Sequence, residues 1–242
     1  MTAVHLPDEK DKASAVQGMF GAIAPRYDLL NHLLSLNIDR RWRRRAVDAL
    51  TRGVRPGGRF LDVCAGTFDL SLELARRQGF EGVVVGSDFA FPMLAQGAPK
   101  IRHDPVAPAC ADALRLPFPT NSFDGAMVAF GVRNLASLDA GLREVARVVR
   151  PGGRFVVLEF TVPAWQPFRA LYLAYFTRVL PMIGRLVSRH ANAYAYLPAS
   201  VLDFPEPAEL ATRMEDAGFD DVRWKMLTGG IAAIHVGTAR QP

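Results

Sequence analysis

Carboxylates set beside small-residue turns are the groups in this sequence best suited to chemistry. In LDVCAGTFDL, Asp62 ends an apolar run, Cys64, Ala65 and Gly66 form a small-residue turn, and Thr67 stands where a helix begins. Such a turn lets backbone N–H groups and a helix N-terminus approach a ligand. Gly66 lacks the side chain that would block that approach, and the Thr67 hydroxyl can accept or donate beside it. Asp88 ends the next apolar run, near the spacing of about 20 residues at which a carboxylate reaches a pair of ribose hydroxyls. Asp112 and Ala113, in ADALRLPFPTNSFD, follow a third run. An acceptor and a backbone N–H there can read the amino group and a ring nitrogen of adenine. The plainer alternative for Asp62, Thr67 and Asp88 is helix capping. A nicotinamide cofactor would need a glycine-rich turn around its pyrophosphate, and no GxGxxG occurs. Ribose and adenine without a pyrophosphate describe S-adenosylmethionine, the cofactor expected here.

Groups at the ends of successive apolar runs must be brought to one edge, and the rest of the pattern supplies the means. FLDV, GVVVGSD, DGAMVAF and RFVVLEF read as buried strands, with helical spacing between them at Leu70 and Leu74, from Met93, and at Leu135, Leu138, Leu142, Val145 and Val149. The last of these helices is expected to stop at Pro151-Gly152-Gly153. Alternating strands and helices joined by short turns give an α/β, doubly wound, mostly parallel sheet, which binds ligands at the carboxyl ends of its strands. DDVRWKML and GGIAAIHVGTA leave no room for a crossover helix between them and must pair as a C-terminal antiparallel hairpin. That hairpin separates a class I methyltransferase sheet from the wholly parallel nicotinamide-binding type. The 242 residues, half of them hydrophobic and 22% charged, suit one domain. Residues 1–13 are expected to form a flexible tail, and 14–242 a single methyltransferase domain. Within it, 14–52 reads as a helical lid and 161–197 as an insertion on the substrate and membrane side.

Two cysteines, Cys64 and Cys110, make no disulfide framework and no metal-ligand cluster, so no metal is expected and a reducing cytoplasm fits. A net charge of +5 is too mild to require nucleic acid but suits an anionic membrane surface.

The blocks MFGAIAPRYDLLNHLLSLNIDRRWR, LPFPTNSFDGAMVAFGVRN, RVVRPGGRFVVLEF and AGFDDVRWKMLTGGIAAIHVG together resemble the ubiquinone and menaquinone biosynthesis C-methyltransferases, over Val16 to Thr238. The resemblance implies S-adenosylmethionine-dependent methylation of demethylmenaquinol, or of the analogous ubiquinone precursor, on a ring carbon. It also matches Thr67, Asp88, Asp112 and Ala113 to the family's cofactor positions. Two residues depart from the pattern: Ala129 stands where some members carry serine, and Phe68 where a small residue is usual. A negative φ at Phe68 is expected, with the ring packed beneath the turn or forming a wall beside the methyl donor.

A quinol carbon becomes nucleophilic when a neighbouring phenol, with an ordinary pKa of about 10, loses its proton. Arg133 in FGVRN is the expected cation at that oxygen, with Asn134 as a hydrogen-bonding partner. Tyr27, Asp28 and Asn31 lie on a segment that could fold over the site, and Tyr27 is assigned with Arg133 and Asn134 to the catalytic set. His235 reads as a strand histidine rather than a base. Other readings are a methyltransferase for another small aromatic acceptor, or a non-catalytic cofactor-binding subunit, which Phe68 would favour. The partner expected is a prenylated quinol, with peripheral contact at the inner face of a membrane and a homodimer as further expectations. AWQPFRALYLAYFTRVLPMIGRLVSRH, broken by arginines and Pro181, is too interrupted to span a bilayer and suits a lid or an interface. The dense cluster Arg40, Arg41, Arg43, Arg44 and Arg45 reads as a solvated helix face or an attraction for anionic lipid.

Overall fold

The computed structural model describes residues 9–24, 35, 37–52, 57–179, 182 and 191–241. Apolar, largely β-branched and aromatic runs form the strands β1 (Arg59–Val63), β2 (Val83–Asp88), β3 (Val106–Cys110), β4 (Phe123–Ala129), β5 (Val149–Phe160), β6 (Phe219–Leu227) and β7 (Ala232–Ala239). They join in one sheet of order β3-β2-β1-β4-β5-β7-β6. β1 to β5 run parallel, while β7 is antiparallel to both β5 and β6. The hairpin therefore returns its second strand into the sheet and leaves β6 at the edge.

The helices are α1 (Glu9–Ile23), α2 (Ile38–Thr51), α3 (Asp69–Ala75), α4 (Phe91–Gly97), α5 (Leu138–Val148), α6 (Gln166–Ala174), α7 (Ala191–Asp203) and α8 (Pro207–Asp216). Leu142 and Val145 of α5 and Leu210 and Met214 of α8 bury themselves on one face of the sheet against Phe155 and Phe219. Trp42, Val47 and Leu50 of α2, with Leu70 and Leu74 of α3, cover the other face. Burial on both faces explains the near-continuous apolar runs of the parallel strands.

Some boundaries differ from expectation. α1 begins at Glu9, inside the stretch expected to be a flexible tail, and Val16 is buried while Gln17 Nε2 donates to the Phe89 carbonyl at 2.9 Å. α5 ends at Val148 rather than at the Pro-Gly-Gly, with Leu135 outside it. Val149 instead opens β5 opposite Phe123, and a register shift between Phe123 and Gly125 accommodates Pro151 to Gly153 within the strand. Helical spacing could not reveal this, because Val149 suits a strand as well as a helix. The arginine cluster is also divided. Arg43 is buried and paired with Asp39 at 2.6 Å, whereas Arg40, Arg41, Arg44 and Arg45 stay exposed.

Candidate active site

A cleft opens at the carboxyl ends of β1, β2, β3 and β4, the edge at which such sheets bind ligands. Cys64, Gly66, Asp88, Asp112 and Ala113 line one side, Ala129 to Gly131 with Asn134 line another, and Ala13 and Phe20 of α1 reach over it. The sheet thus gathers Gly66, Asp88, Asp112, Ala113 and Asn134 into one cleft.

Gly66 has φ +55° and its N–H donates to Asp88 Oδ2 at 2.9 Å. The other Asp88 oxygen accepts from the Ala90 N–H at 2.8 Å. Because Ala90 caps α4, Asp88 is not the helix cap itself. Each carboxylate oxygen keeps a second lone pair. Burial pushes the Asp88 pKa up and the two N–H bonds oppose that shift. At the rim, Asp112 is exposed and accepts from the Leu114 N–H at 2.9 Å, while Ala113 is buried. Asn134 Nδ2 donates to the Phe130 carbonyl at 3.3 Å, leaving its buried Oδ1 without a partner. A carbonyl oxygen left so costs about 1–3 kcal/mol unless a ligand supplies a donor.

Asp62 and Thr67 are buried and do not line the cleft. Asp62 Oδ2 accepts from the Ser71 hydroxyl at 2.6 Å, and Oδ1 is buried with no partner. Burial, opposed by the Ser71 bonds, raises its pKa to about 7. The folded value therefore lies above the ordinary carboxylate value of about 3.9. Asp62's contribution to stability is complete below that ordinary value and is lost as pH rises through about 7. A cationic ligand favours the ionised carboxylate, so S-adenosylmethionine should bind more tightly as pH passes upward through about 7. Calorimetry across that range checks the slope, which Asp62→Asn should flatten. In the same measurements Asp88→Ala should lose about 1–3 kcal/mol at every pH, through polar groups left unpaired. An unchanged affinity would leave Asp88 as a brace for the loop.

Arg133 sits in a single 3-10 turn, Val132–Asn134, after β4. It does not line the cleft but a neighbouring cavity, which it shares with Tyr196 and Ser200; Leu135 and Ala136 line both. Its Nη1 donates to Glu159 Oε1 at 2.8 Å and to the Phe130 carbonyl, and its Nε donates to the Ser200 hydroxyl at 3.3 Å. The guanidinium lies 5.5 Å from the centre of the Phe160 ring. Burial pushes the Glu159 carboxyl up and the Arg133 charge pulls it back. The expectation of a free cation at the cleft is corrected accordingly, since a buried carboxylate already compensates the charge. Tyr27, Asp28 and Asn31 lie outside the described residues. His235 stands on β7, its Nε2 2.9 Å from the Pro207 carbonyl and its ring stacked on Trp224. Burial lowers its pKa, as befits a neutral strand histidine.

Left-handed backbone at Cys64 (φ +55°), Phe68 (φ +69°) and Phe130 (φ +60°) surrounds the cleft. Such non-glycine residues store about 1–3 kcal/mol each and collect at functional sites. The negative φ expected at Phe68 is thereby overturned. Its ring is fully buried beneath the turn, against the open Cα of Gly86 and of Gly97, where a Cβ would meet it at 2.6 Å. Phe68 does not face the cleft.

Sequence patterns shared by the ubiE/COQ5 methyltransferase family match residues 7–239. The chain belongs to the ubiE/COQ5 methyltransferase family. It is 49% identical to a demethylmenaquinone methyltransferase of Deinococcus radiodurans, over 99% of this chain and 100% of that one. It is 46% identical to a ubiquinone/menaquinone biosynthesis C-methyltransferase of Geobacter sp. strain M21, over 94% of this chain and 97% of the relative. Among solved structures, a Haemonchus contortus phosphoethanolamine N-methyltransferase 2 in complex with S-adenosyl-L-methionine superposes with a TM-score of 0.56 at 15% identity, over 76% of this chain and 49% of that one. That likeness shows a shared fold. Membership makes the chain a methyltransferase, and the class I architecture expected from the alternating strands and terminal hairpin is the one observed.

Residues not singled out from the sequence gather around Arg133. Glu159, Ser200, Tyr172 and Tyr196 surround Arg133 or feel its charge. For Glu159 a signal existed. Ala129 pairs with Leu158 in neighbouring parallel strands, which brings the ends of FGVR and LEF together.

Proposed function

We propose that this chain transfers the methyl group of S-adenosylmethionine to a ring carbon of demethylmenaquinol, a prenylated quinol, at the cytoplasmic face of the membrane. The observation that carries the reading is full-length relatedness to a demethylmenaquinone methyltransferase at 49% identity. The cleft fits the cofactor. Asp88 offers two acceptors for a diol, Asp112 and Ala113 lie where adenine would be read, and Asp62, buried outside the cleft lining, acts only through its charge. S-adenosylmethionine supplies an electrophilic methyl group on a sulfonium.

The protein's own residues then have to hold the quinol and favour its phenolate. Asn134 presents an unpaired Oδ1 from the cleft wall, an acceptor for a quinol hydroxyl. Tyr172 and Tyr196 have buried hydroxyls without partners, and both feel the charge of Arg133. Burial pushes both phenols up, so they remain neutral O–H groups beside Arg133, outside the cleft lining. Arg133 and Asn134 share the Phe130 carbonyl as acceptor. Arg133 therefore acts as a positioning residue, fixing the turn that carries Asn134. The Cys64 thiol is pushed well up by burial and stays neutral, so it is no nucleophile. A non-catalytic role loses the support that a bulky Phe68 beside the methyl donor would have given it, because that ring points away from the cleft.

A strain lacking this chain should accumulate demethylmenaquinone and regain menaquinone when the gene is restored. An unchanged quinone pool would place the acceptor elsewhere.

A further inference from the structure

The segment that carries Tyr172 and Tyr196 has an outer face that the cleft does not use. α6 continues through a π turn, Tyr175–Val179, and the pair presents Leu171 (68% exposed), Tyr175 and Val179 at steps of four residues. Trp165, at the N-cap of α6, is 70% exposed, and Met182 is 55% exposed. No aspartate or glutamate occurs between Glu159 and Asp203, while Arg169, Arg178, Arg185 and Arg189 do. Among the described residues, neither Arg169 nor Arg178 forms an ion pair. Exposed apolar side chains beside the uncompensated, exposed Arg178, in a stretch free of acidic residues and led by a tryptophan, are the composition of a surface that rests in the headgroup region of an anionic bilayer.

We infer that the outer face of α6 and its π turn, built on Trp165, Leu171, Tyr175 and Val179 with Arg178, docks this protein onto anionic phospholipid. The inference rests on the prenylated-quinol reading for its purpose but not for its evidence. Among the described residues no helix is long and apolar enough to cross a membrane, so contact here is peripheral. The inner face of the same helix faces the site. Tyr172 stacks on Phe176 at 5.0 Å, Phe176 lies 6.4 Å from Phe160, and Phe160 stacks at 4.4 Å on Phe130, which lines the cleft. One helix thus has lipid on its outside and the reaction site behind it. A prenyl tail can stay in the bilayer while its quinol head reaches Asn134.

The test is sedimentation with vesicles of phosphatidylcholine, with and without phosphatidylglycerol, together with quenching of tryptophan fluorescence by brominated lipid. The full-length protein should partition onto the anionic vesicles and show quenching. Trp165→Phe should abolish most of the quenching, since Trp42 is buried and Trp224 lies on the edge strand β6. Leu171→Asp, and separately Arg178→Ser, should each weaken partitioning several-fold. All of these variants should methylate a tail-less demethylated quinol in solution as the wild type does. Equal partitioning of wild type and variants would overturn the proposal, as would quenching that survives Trp165→Phe and so assigns the contact to Trp224. Dissociation of a dimer by Leu171→Asp, with vesicle binding unchanged, would assign the face to a second copy of the chain. Failure of the wild type on the tail-less quinol, with vesicle binding intact, would remove the acceptor reading and leave the docking face standing.

Discussion

Arg133→Ala should destabilise the protein by about 3–5 kcal/mol, because it strands the Glu159 carboxylate in the interior without its counter-charge. The Arg133 and Glu159 side chains are 7% and 1% exposed, so little solvent screening is available to soften the loss. Turnover should fall as well, since the turn carrying Asn134 is pinned through the same guanidinium. A second variant separates the two effects. Arg133→Met combined with Glu159→Leu removes both charges and should recover most of the stability, as buried ion pairs replaced by apolar groups often do. Turnover should stay low if Arg133 positions Asn134, and should return with stability if the pair is only a brace. Thermal unfolding and single-turnover methylation of the two proteins decide this. An Arg133→Ala protein as stable as the wild type would mean that the ion pair does not form.

Phe68→Ala should cost about 3–5 kcal/mol, the usual penalty for emptying a fully buried aromatic site. The alanine keeps the left-handed φ of +69° and so keeps its strain. Phe68→Gly empties the same space but relieves roughly 1 kcal/mol of that strain. The glycine variant should therefore unfold at higher denaturant than the alanine variant, and both should fall below the wild type. S-adenosylmethionine affinity should drop in both, because the ring supports the turn that holds Gly66. A glycine variant more stable than the wild type would show that strain, not packing, dominates at this position.

Phe68 also marks where the sequence stopped being informative. Its departure from the family pattern was visible, but its partners are Gly86 on β2 and Gly97 at the end of α4, and no spacing rule joins those positions. A packed ring is expected to go with negative φ, whereas the fold combines full burial with φ +69°. Periodicity and turn chemistry were reliable where they act locally. The runs ending at Asp62 and Asp88 are strands, and the turn at Gly66 approaches Asp88 because parallel neighbours bring their ends to one edge. What Arg133 touches is set by tertiary contact. Its reading as the cation at the quinol oxygen rests on FGVRN alone, while Glu159 and Ser200 come from other elements and engage it in the interior. The two boundary errors, at Glu9 and Val149, have a simpler cause. Charged helical residues look like a tail, and valine serves strand and helix patterns alike.

Methyl transfer to a quinol carbon is tested most directly by a single turnover. Purified protein, S-adenosylmethionine with a labelled methyl group and a short-tailed demethylmenaquinol are mixed, and the product is analysed for the position of the label. The label should appear on the quinone ring carbon, at a rate that rises with pH toward the quinol's own ionisation. Tight binding of S-adenosylmethionine with no label on the ring, or label on a quinol oxygen instead, would contradict the assignment.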